Sequence, residues 1–107
     1  LDVDLVFDCR FLPNPHWFEE LRPPTGLYEP VRDYVFDQES TGEFIYHLEG
    51  LFALLMPAYA AEGKAYLTVA FGCTGGRHRS VAIADRVAVM LNAQGFSAAV
   101  THRDILR

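Results

Sequence analysis

The strongest constraint on the fold of this chain is an apolar segment at residues 66–71 (YLTVAF), which is followed at once by the glycine-rich, basic sequence GCTGGRHRS. The apolar segment is rich in residues that favour β-strands, and helical periodicity resumes after it and continues as far as Gly95. A strand that leads through a tight glycine loop into a helix is typical of a parallel sheet covered by helices. We therefore predict a buried central strand at 66–71 and a helix that begins at His78 or Arg79.

The rest of the chain predicts one small α/β domain that spans residues 1–107, with a mostly parallel sheet flanked by helices. The other predicted elements are strands at 4–8 and 98–101 and helices at 30–36 and 43–62. Pro57 is expected to kink the longer helix, and Gly63 to end it. Residues 10–30 contain five of the six prolines and are expected to form a long ordered loop.

Composition excludes several classes of protein. Half of the 107 residues are hydrophobic and 21% are charged, which is typical of a folded domain rather than a disordered tail. The longest apolar run, at 51–61, is interrupted by Pro57 and is shorter than a membrane span, so no membrane protein is expected. Two cysteines, Cys9 and Cys73, are too few for a disulfide framework, which predicts a reducing, cytoplasmic location.

Charge is divided unevenly along the chain, whose net charge is −5. Residues 1–62 carry three basic against twelve acidic side chains, whereas residues 63–107 carry six against two. The overall acidity argues against general nucleic-acid binding, and the basic last part of the chain predicts a site for an anion there. The alternative is that the two parts interleave in space, in which case the asymmetry carries no meaning.

The glycine-rich loop after the predicted strand has the chemistry of a phosphate site. Its candidate ligand-binding residues are Thr74, Gly75, Gly76, Arg77, His78, Arg79 and Ser80. The glycines let the backbone approach an anion, the hydroxyls and the first N–H groups of the helix donate hydrogen bonds, and the Arg79 guanidinium can grip a phosphate with two prongs. The alternative is an ordinary strand-to-helix turn with solvated arginines. The loop fits neither the ATP-binding P-loop nor the G-x-G-x-x-G dinucleotide pattern.

One enzyme class shares the spacing of this loop. The pattern Cys-x5-Arg-Ser, which runs from Cys73 through Arg79 to Ser80, resembles the phosphate loop of cysteine-dependent protein phosphatases. The resemblance implies a Cys73 thiolate as nucleophile and Arg79 as the phosphoryl-binding residue. Gly72 stands where those enzymes usually have histidine. The candidates for a general acid are Asp8, Asp33 and Asp104. Phosphatase activity is therefore the alternative function.

A longer resemblance covers nearly the whole chain. It is carried by four segments: DLVFDCRFLPNPHW (4–17), ELRPPTGL (20–27), YLTVAFGCTGGRHRSV (66–81) and THRD (101–104). In these segments the chain resembles the C-terminal domain of the RapZ (YvcJ-like) RNase adapter family. The resemblance implies a domain that senses an amino-sugar phosphate, such as glucosamine-6-phosphate, and needs no cofactor of its own. It also implies that ATP and GTP belong to a separate N-terminal P-loop domain of the family, with ATPase and GTPase activity.

The resemblance also assigns binding residues. In the anion loop it covers Thr74, Gly75, Gly76, His78, Arg79 and Ser80, and across the pocket it covers Asp8, Arg10, Asn14 and His16. Asp8 could take a sugar ammonium or hydroxyl group, and His16 could donate to a phosphate or hydroxyl group. The alternatives are that Asp8 caps a turn and that Arg10 pairs with a surface acid. Trp17 is expected to anchor the loop rather than to stack on a sugar.

Macromolecular partners are implied by the same resemblance. Enterobacterial members bind small regulatory RNAs and present them to an endoribonuclease, and family members associate as homo-oligomers. The candidate RNA-binding residues are Arg77, Arg86 and Arg103. The chain is acidic and lacks the basic tail of the enterobacterial members, which predicts weak RNA binding by this fragment alone. No metal is expected, because the spacings of the Cys and His residues match no common zinc pattern.

Overall fold

The structure is a computed structural model that describes residues 3–64, 66–73, 78–100 and 102 of the chain. Its strands are β1 (Leu5–Asp8) and β2 (Val69–Gly72), and its helices are α1 (Glu29–Phe36), α2 (Glu39–Ala61) and α3 (Arg79–Ala93). Two short 3-10 helices, Pro15–Trp17 and Glu19–Leu21, lie between β1 and α1. This arrangement confirms the predicted small α/β domain.

The two strands form a parallel pair. Leu5 lies opposite Val69, and Asp8 lies opposite Gly72. Helices α1 and α2 come between the strands in sequence and provide the long crossover that a parallel pair requires. Because both strands run in the same direction, their carboxyl ends meet at one edge of the sheet.

The hydrophobic core lies between the strand pair and the helices. Phe7 of β1 stacks on Phe71 of β2 with ring centroids 5.5 Å apart, and it meets Phe44 and Phe52 of α2 edge to face at 6.2 Å each. Phe52 is fully buried, and so is Ile83 of α3. Full burial of such a side chain contributes about 1.5–3 kcal/mol. These contacts therefore fix α2 and α3 against the sheet.

Helix α2 begins four residues before the predicted start at residue 43. Its first turn is Glu39 followed by Ser, Thr and Gly, and these polar or small residues carry no apolar stripe that would have marked the start. Pro57 lies inside the helix, which continues to Ala61. Gly63 then adopts a φ of +81°, a conformation that glycine takes without steric cost and that ends the helix as predicted.

By length and composition alone, α2 would also suffice to cross a membrane, which the apolar run at 51–61 did not predict. Its buried residues Leu48 and Phe52 belong to the core shared with the sheet and α3. The radius of gyration is 14.1 Å, close to the ~13 Å of a compact chain of 100 residues. The compact fold favours a soluble domain, although only 11% of the apolar window of α2 is buried within the described residues.

The sheet is smaller than the sequence predicts. β2 begins at Val69 rather than at residue 66, and among the described residues it pairs with β1 alone. It is therefore a half-buried strand rather than a buried central one. The sequence predicts a strand at 98–101, but the described residues of that segment, 98–100, are not in a strand. The backbone N–H of Ala98 instead donates to Oδ1 of Asn92 in α3 at 2.9 Å. This N–H group is therefore bonded to a helix side chain rather than to the backbone of a neighbouring strand.

Candidate functional site

The carboxyl edge of the strand pair faces the amino end of α3, and the predicted site residues within the described ranges gather there. Asp8 ends β1, Cys73 follows β2, and His78 and Arg79 begin α3. Four predicted loop residues, Thr74, Gly75, Gly76 and Arg77, lie outside the described residues. The structure thus describes both flanks of the predicted phosphate loop.

Arg79 is the first residue of α3, and its side chain is only 4% exposed. Its Nη1 donates to the backbone carbonyls of Arg10 at 2.8 Å and Leu12 at 2.9 Å. Its Nε is also buried and has no hydrogen-bond partner within the described part of the chain. None of the described carboxylates forms a salt bridge with this guanidinium. The Nη1 group of the guanidinium is therefore already bonded to the loop after β1. The positive charge of the buried guanidinium still attracts an anion.

Asp8 and Arg10 are paired with each other at the rim of this edge. The Arg10 Nη2 donates to Oδ2 of Asp8 at 2.6 Å, and its backbone N–H donates to Oδ1 at 2.9 Å. These hydrogen bonds lower the pKa of Asp8 to about 2. The pairing has the geometry of the alternative in which Asp8 caps a turn and Arg10 meets an acid. Both side chains are more than half exposed, so the pair contributes little to stability.

Cys73 and Ser80 are joined by two hydrogen bonds across the predicted loop. The backbone N–H of Ser80 donates to the Cys73 Sγ at 3.3 Å, and the thiol donates to the Ser80 Oγ at 3.2 Å. Ser80 is buried, and Cys73 is half-buried. The sulfur thus lies beside the first turn of α3, where N–H groups lack helical partners. The structure thus places Cys73 beside Ser80, whereas the Arg79 side chain is directed to the loop after β1.

The loop after β1 is fastened to the start of α3 through His78. The buried His78 ring has its Nε2 at 3.1 Å from the carbonyl oxygen of Arg22. Arg22 in turn donates from Nε to the carbonyl of His16 at 2.6 Å, and the His16 and His78 rings lie 6.5 Å apart. Asn14 caps the first 3-10 helix, because its Oδ1 accepts the N–H of His16 at 3.0 Å. The role of Arg22 was missed at the sequence level, since a side chain that joins two loop segments leaves no periodic pattern.

Gly26 lies close against the backbone at the start of α3. A Cβ atom at residue 26 would lie 2.3 Å from the carbonyl oxygen of His78 and 2.7 Å from the backbone nitrogen of Ala82. Glycine is therefore needed there for close packing rather than for a special backbone angle. The sequence PPTG predicts a turn at this point, but nothing local in it indicates the contact with α3.

Trp17 does not anchor the loop, contrary to the expectation from sequence. Its side chain is 68% exposed. Within the same 3-10 helix, Pro15 takes the buried position, and successive residues of so tight a helix point in different directions. The loop is held instead by smaller apolar side chains that are buried, namely Leu12, Pro15 and Leu21.

Of the three candidate RNA-binding arginines, the structure describes one. Arg86 is exposed on α3, and its guanidinium carbon lies 4.1 Å from the centroid of the Phe36 ring. Such a cation–π contact leaves the outer face of the guanidinium accessible. Arg77 and Arg103 lie outside the described residues, so the predicted patch stays a prediction.

The fold and the site together define an α/β domain with polar groups at the carboxyl edge of its parallel strands, which is where open α/β sheets bind ligands. Residues 1–106 match the family model described as the RapZ C-terminal domain. The chain therefore belongs to this family, as its motifs predict. Family membership supports a regulatory adapter domain as its broad class.

Curated relatives agree with this assignment. Over all 107 residues the chain is 52% identical to a nucleotide-binding protein of Streptomyces griseus, 54% identical to one of Desulforudis audaxviator and 55% identical to one of Frankia casuarinae. It covers 32%, 36% and 37% of those proteins, respectively. The chain thus spans about a third of the length of the relatives that it matches.

Proposed function

We propose that this domain senses an amino-sugar phosphate, with glucosamine-6-phosphate as the representative ligand, and binds it at the junction of β1, β2 and α3. The observation that carries the proposal is the Arg79 guanidinium, which is 4% exposed, has a buried Nε without a partner among the described residues, and forms no salt bridge there. Asp8 interacts electrostatically with this guanidinium, but none of the described carboxylates forms a salt bridge with it. A phosphate group would supply the direct charge partner that a buried cation favours.

The amino end of α3 adds to the attraction for a phosphate. Its first N–H groups carry the positive end of the helix dipole, which favours an anion at this position. Ser80 and His78 lie beside Arg79 in the first turn and are both buried, so their polar groups are held in place by the surrounding structure. The glycines of the predicted loop would let its backbone approach the same anion closely.

Asp8 gives the proposal its amino-sugar specificity. Its pKa is lowered to about 2 by the hydrogen bonds from Arg10, so it carries a full negative charge at neutral pH. A sugar ammonium group near the end of β1 would meet this carboxylate. The same charge makes Asp8 a poor general acid, since it holds no proton to give to a leaving group at neutral pH. This argues for binding rather than turnover.

A cysteine-dependent phosphatase remains the second candidate, because one observation favours it. The Cys73 Sγ accepts the backbone N–H of Ser80 beside the start of α3, an environment that makes a thiol more nucleophilic. Against it, Arg79 directs Nη1 to two backbone carbonyls rather than leaving both prongs for a phosphoryl group. Binding and turnover can be measured on the same purified protein.

Calorimetric titration with glucosamine-6-phosphate tests the proposal, with glucose-6-phosphate and glucosamine as matched probes. We expect binding of the first, weaker binding of the second because it lacks the ammonium group, and no binding of the third because it lacks the phosphate. Arg79→Ala should weaken binding at least tenfold, or about 1.4 kcal/mol, as expected when a charge-assisted hydrogen bond is lost. Asp8→Asn should abolish the preference for the amino sugar.

Arg86→Ala is the matched control, because it removes the same charge from the same helix at an exposed position away from the site. It should leave the affinity within about twofold. Since Arg79 also ties two carbonyls to α3, Arg79→Lys is measured beside Arg79→Ala, and circular dichroism verifies that each variant is folded. Absence of sugar-phosphate binding by the folded protein would refute the proposal. Hydrolysis of p-nitrophenyl phosphate that is lost in Cys73→Ser would establish the phosphatase instead.

A further inference from the structure

Cys9 and Cys73 occupy equivalent positions just beyond the carboxyl ends of the two strands. In the parallel register, Leu5 faces Val69 and Phe7 faces Phe71, so odd-numbered positions of both strands form pairs on one face of the sheet. The stacked rings of Phe7 and Phe71 confirm that these side chains point the same way. Continued by one residue beyond the two strands, this register would pair Cys9 with Cys73.

The backbone keeps the strands together at this point. The N–H of Cys9 donates to the carbonyl of Gly72 at 2.6 Å, which extends the ladder one residue past the last strand pair. Cys9 is fully buried, and the half-buried Cys73 packs against the same core cluster. Neighbouring strands lie about 4.8 Å apart, within the range of roughly 4.4–6.8 Å between Cα atoms that a disulfide requires.

We propose that Cys9 and Cys73 are a redox-sensitive pair that a peroxide converts into a disulfide, and that this disulfide weakens anion binding at the start of α3. The second part rests on the proposed function, whereas the first part stands on the strand register alone. In the structure described above both residues are thiols.

The reaction proceeds in two balanced steps with hydrogen peroxide as the oxidant. The Cys73 sulfur attacks one peroxide oxygen, so that an S–O bond forms, the O–O bond breaks, and one water leaves; Cys73 becomes a sulfenic acid. The Cys9 sulfur then attacks the Cys73 sulfur, an S–S bond forms, and the S–O bond breaks as a second water leaves with the Cys9 proton. Both sulfurs are oxidised by one electron each, and the peroxide is reduced to two waters.

The order of the two steps follows from exposure and environment. Cys73 is the more accessible thiol, and it lies beside the N–H groups of α3. Burial raises the pKa of Cys9 to about 12, so Cys9 stays protonated and does not react first. It serves as the resolving residue, which attacks only after Cys73 is oxidised.

The disulfide would act on the anion site through Ser80. Cys73 now donates its thiol hydrogen to the Ser80 Oγ and accepts the Ser80 N–H. A sulfur bonded to Cys9 has no hydrogen to donate, so its hydrogen bond to the Ser80 Oγ is lost and that hydroxyl is left without this partner. Ser80 follows Arg79 directly, and the first turn of α3 would therefore lose its present orientation.

The test begins with the reduced protein and with the Cys9→Ser and Cys73→Ser variants, each treated with hydrogen peroxide. Thiols are counted after denaturation, and intact mass and peptide mapping follow. We expect the parent chain to lose both thiols and 2 Da, with a peptide that links residues 9 and 73, and to recover both thiols on treatment with dithiothreitol. Neither variant should form an intramolecular link. Separate sulfinic acids at the two cysteines, or retention of both thiols, would overturn the proposal.

Ligand binding is then compared between the reduced and the oxidised protein. We expect the affinity for glucosamine-6-phosphate to fall at least tenfold on oxidation and to return after reduction. The Cys9→Ser variant should keep its affinity at the same peroxide dose once mixed oxidation products are removed. Unchanged affinity in the disulfide form would overturn the regulatory part. If the reduced protein binds no sugar phosphate, the proposed function fails, while the mass and thiol count still decide whether the pair forms.

Discussion

Gly26→Ala tests the contact that joins the loop after β1 to helix α3. The added Cβ would lie 2.3 Å from the carbonyl oxygen of His78 and 2.7 Å from the backbone nitrogen of Ala82. The first of these distances is roughly 1 Å shorter than a favourable van der Waals contact of ~3.5 Å. Both atoms belong to the backbone of α3 and its cap, so no flexible side chain can move aside, and the loop itself has to shift.

We expect the substitution to lower the free energy of unfolding by about 2 kcal/mol, the middle of the range for overpacked sites. For a domain of this size that corresponds to a fall in Tm of roughly 8–12 °C. Thermal unfolding followed by circular dichroism measures it, together with a urea titration at constant temperature. Because the displaced loop carries Arg22 and its hydrogen bond with His78, the variant should also bind glucosamine-6-phosphate more weakly.

Gly50→Ala is the matched control for this prediction. Gly50 lies inside α2, where an added Cβ would meet no described atom within 4 Å apart from its chain neighbours and the backbone of its own helix. Alanine favours a helix over glycine by about 0.5–1 kcal/mol, so this variant should be slightly more stable than the parent chain. A Gly26→Ala protein with the parent Tm would contradict the close approach of the loop to α3, and the reasoning on the site that depends on it.

Two further predictions concern buried polar groups. Burial raises the pKa of the Cys9 thiol from about 9 to about 12, so the unfolded chain loses this proton at a lower pH than the folded protein does. The contribution of the neutral thiol to the free energy of unfolding is therefore complete below pH 9 and is lost as the pH rises toward 12. Relative to Cys9→Ala, the parent chain should lose about 1.4 kcal/mol of unfolding free energy per pH unit in that window, measured by urea unfolding, and parallel pH profiles would contradict it. Thr41 is fully buried, and its Oγ1 has no hydrogen-bond partner among the described residues. The isosteric Thr41→Val should therefore raise the free energy of unfolding by about 1 kcal/mol, and Ser40→Ala in the same turn serves as the comparison; a destabilised Thr41→Val protein would mean that the hydroxyl has a partner.

Local sequence signals account for most of the helices and for the strand pair. β1 begins only one residue later than predicted, and α3 begins at the predicted Arg79. These boundaries are predictable because alternation, glycines and apolar stripes are properties of short segments. The start of α2 at Glu39 was missed, since its first turn lacks apolar residues. The strand predicted at 98–101 was wrong in its described part, where the backbone N–H of Ala98 donates to the side chain of Asn92, six residues away, instead of to a neighbouring strand.

The candidate site likewise has contacts that the local sequence predicts and contacts that it does not. The spacing of Cys73 and Ser80 is local, so the sequence alone indicates that a loop joins them at the start of a helix. The carbonyls that hold Arg79 belong to Arg10 and Leu12, which are more than sixty residues away, and no local pattern predicts them. Gly26 is a similar case, since its partner is the backbone of α3 rather than its own turn.

The long separation between the two paired strands has a consequence for folding. Leu5 and Val69 are neighbours in the sheet although they are 64 positions apart in the sequence, so closing this loop carries an entropic cost. Contacts between α2 and α3 close a shorter loop, and contacts within each helix are local, so their entropic cost is smaller. We therefore expect β1 to join after the helices have packed, so that the carboxyl edge of the strand pair forms late in folding. A molecule bound at that edge would slow unfolding without accelerating folding, because it has no complete surface to recognise until the chain is native.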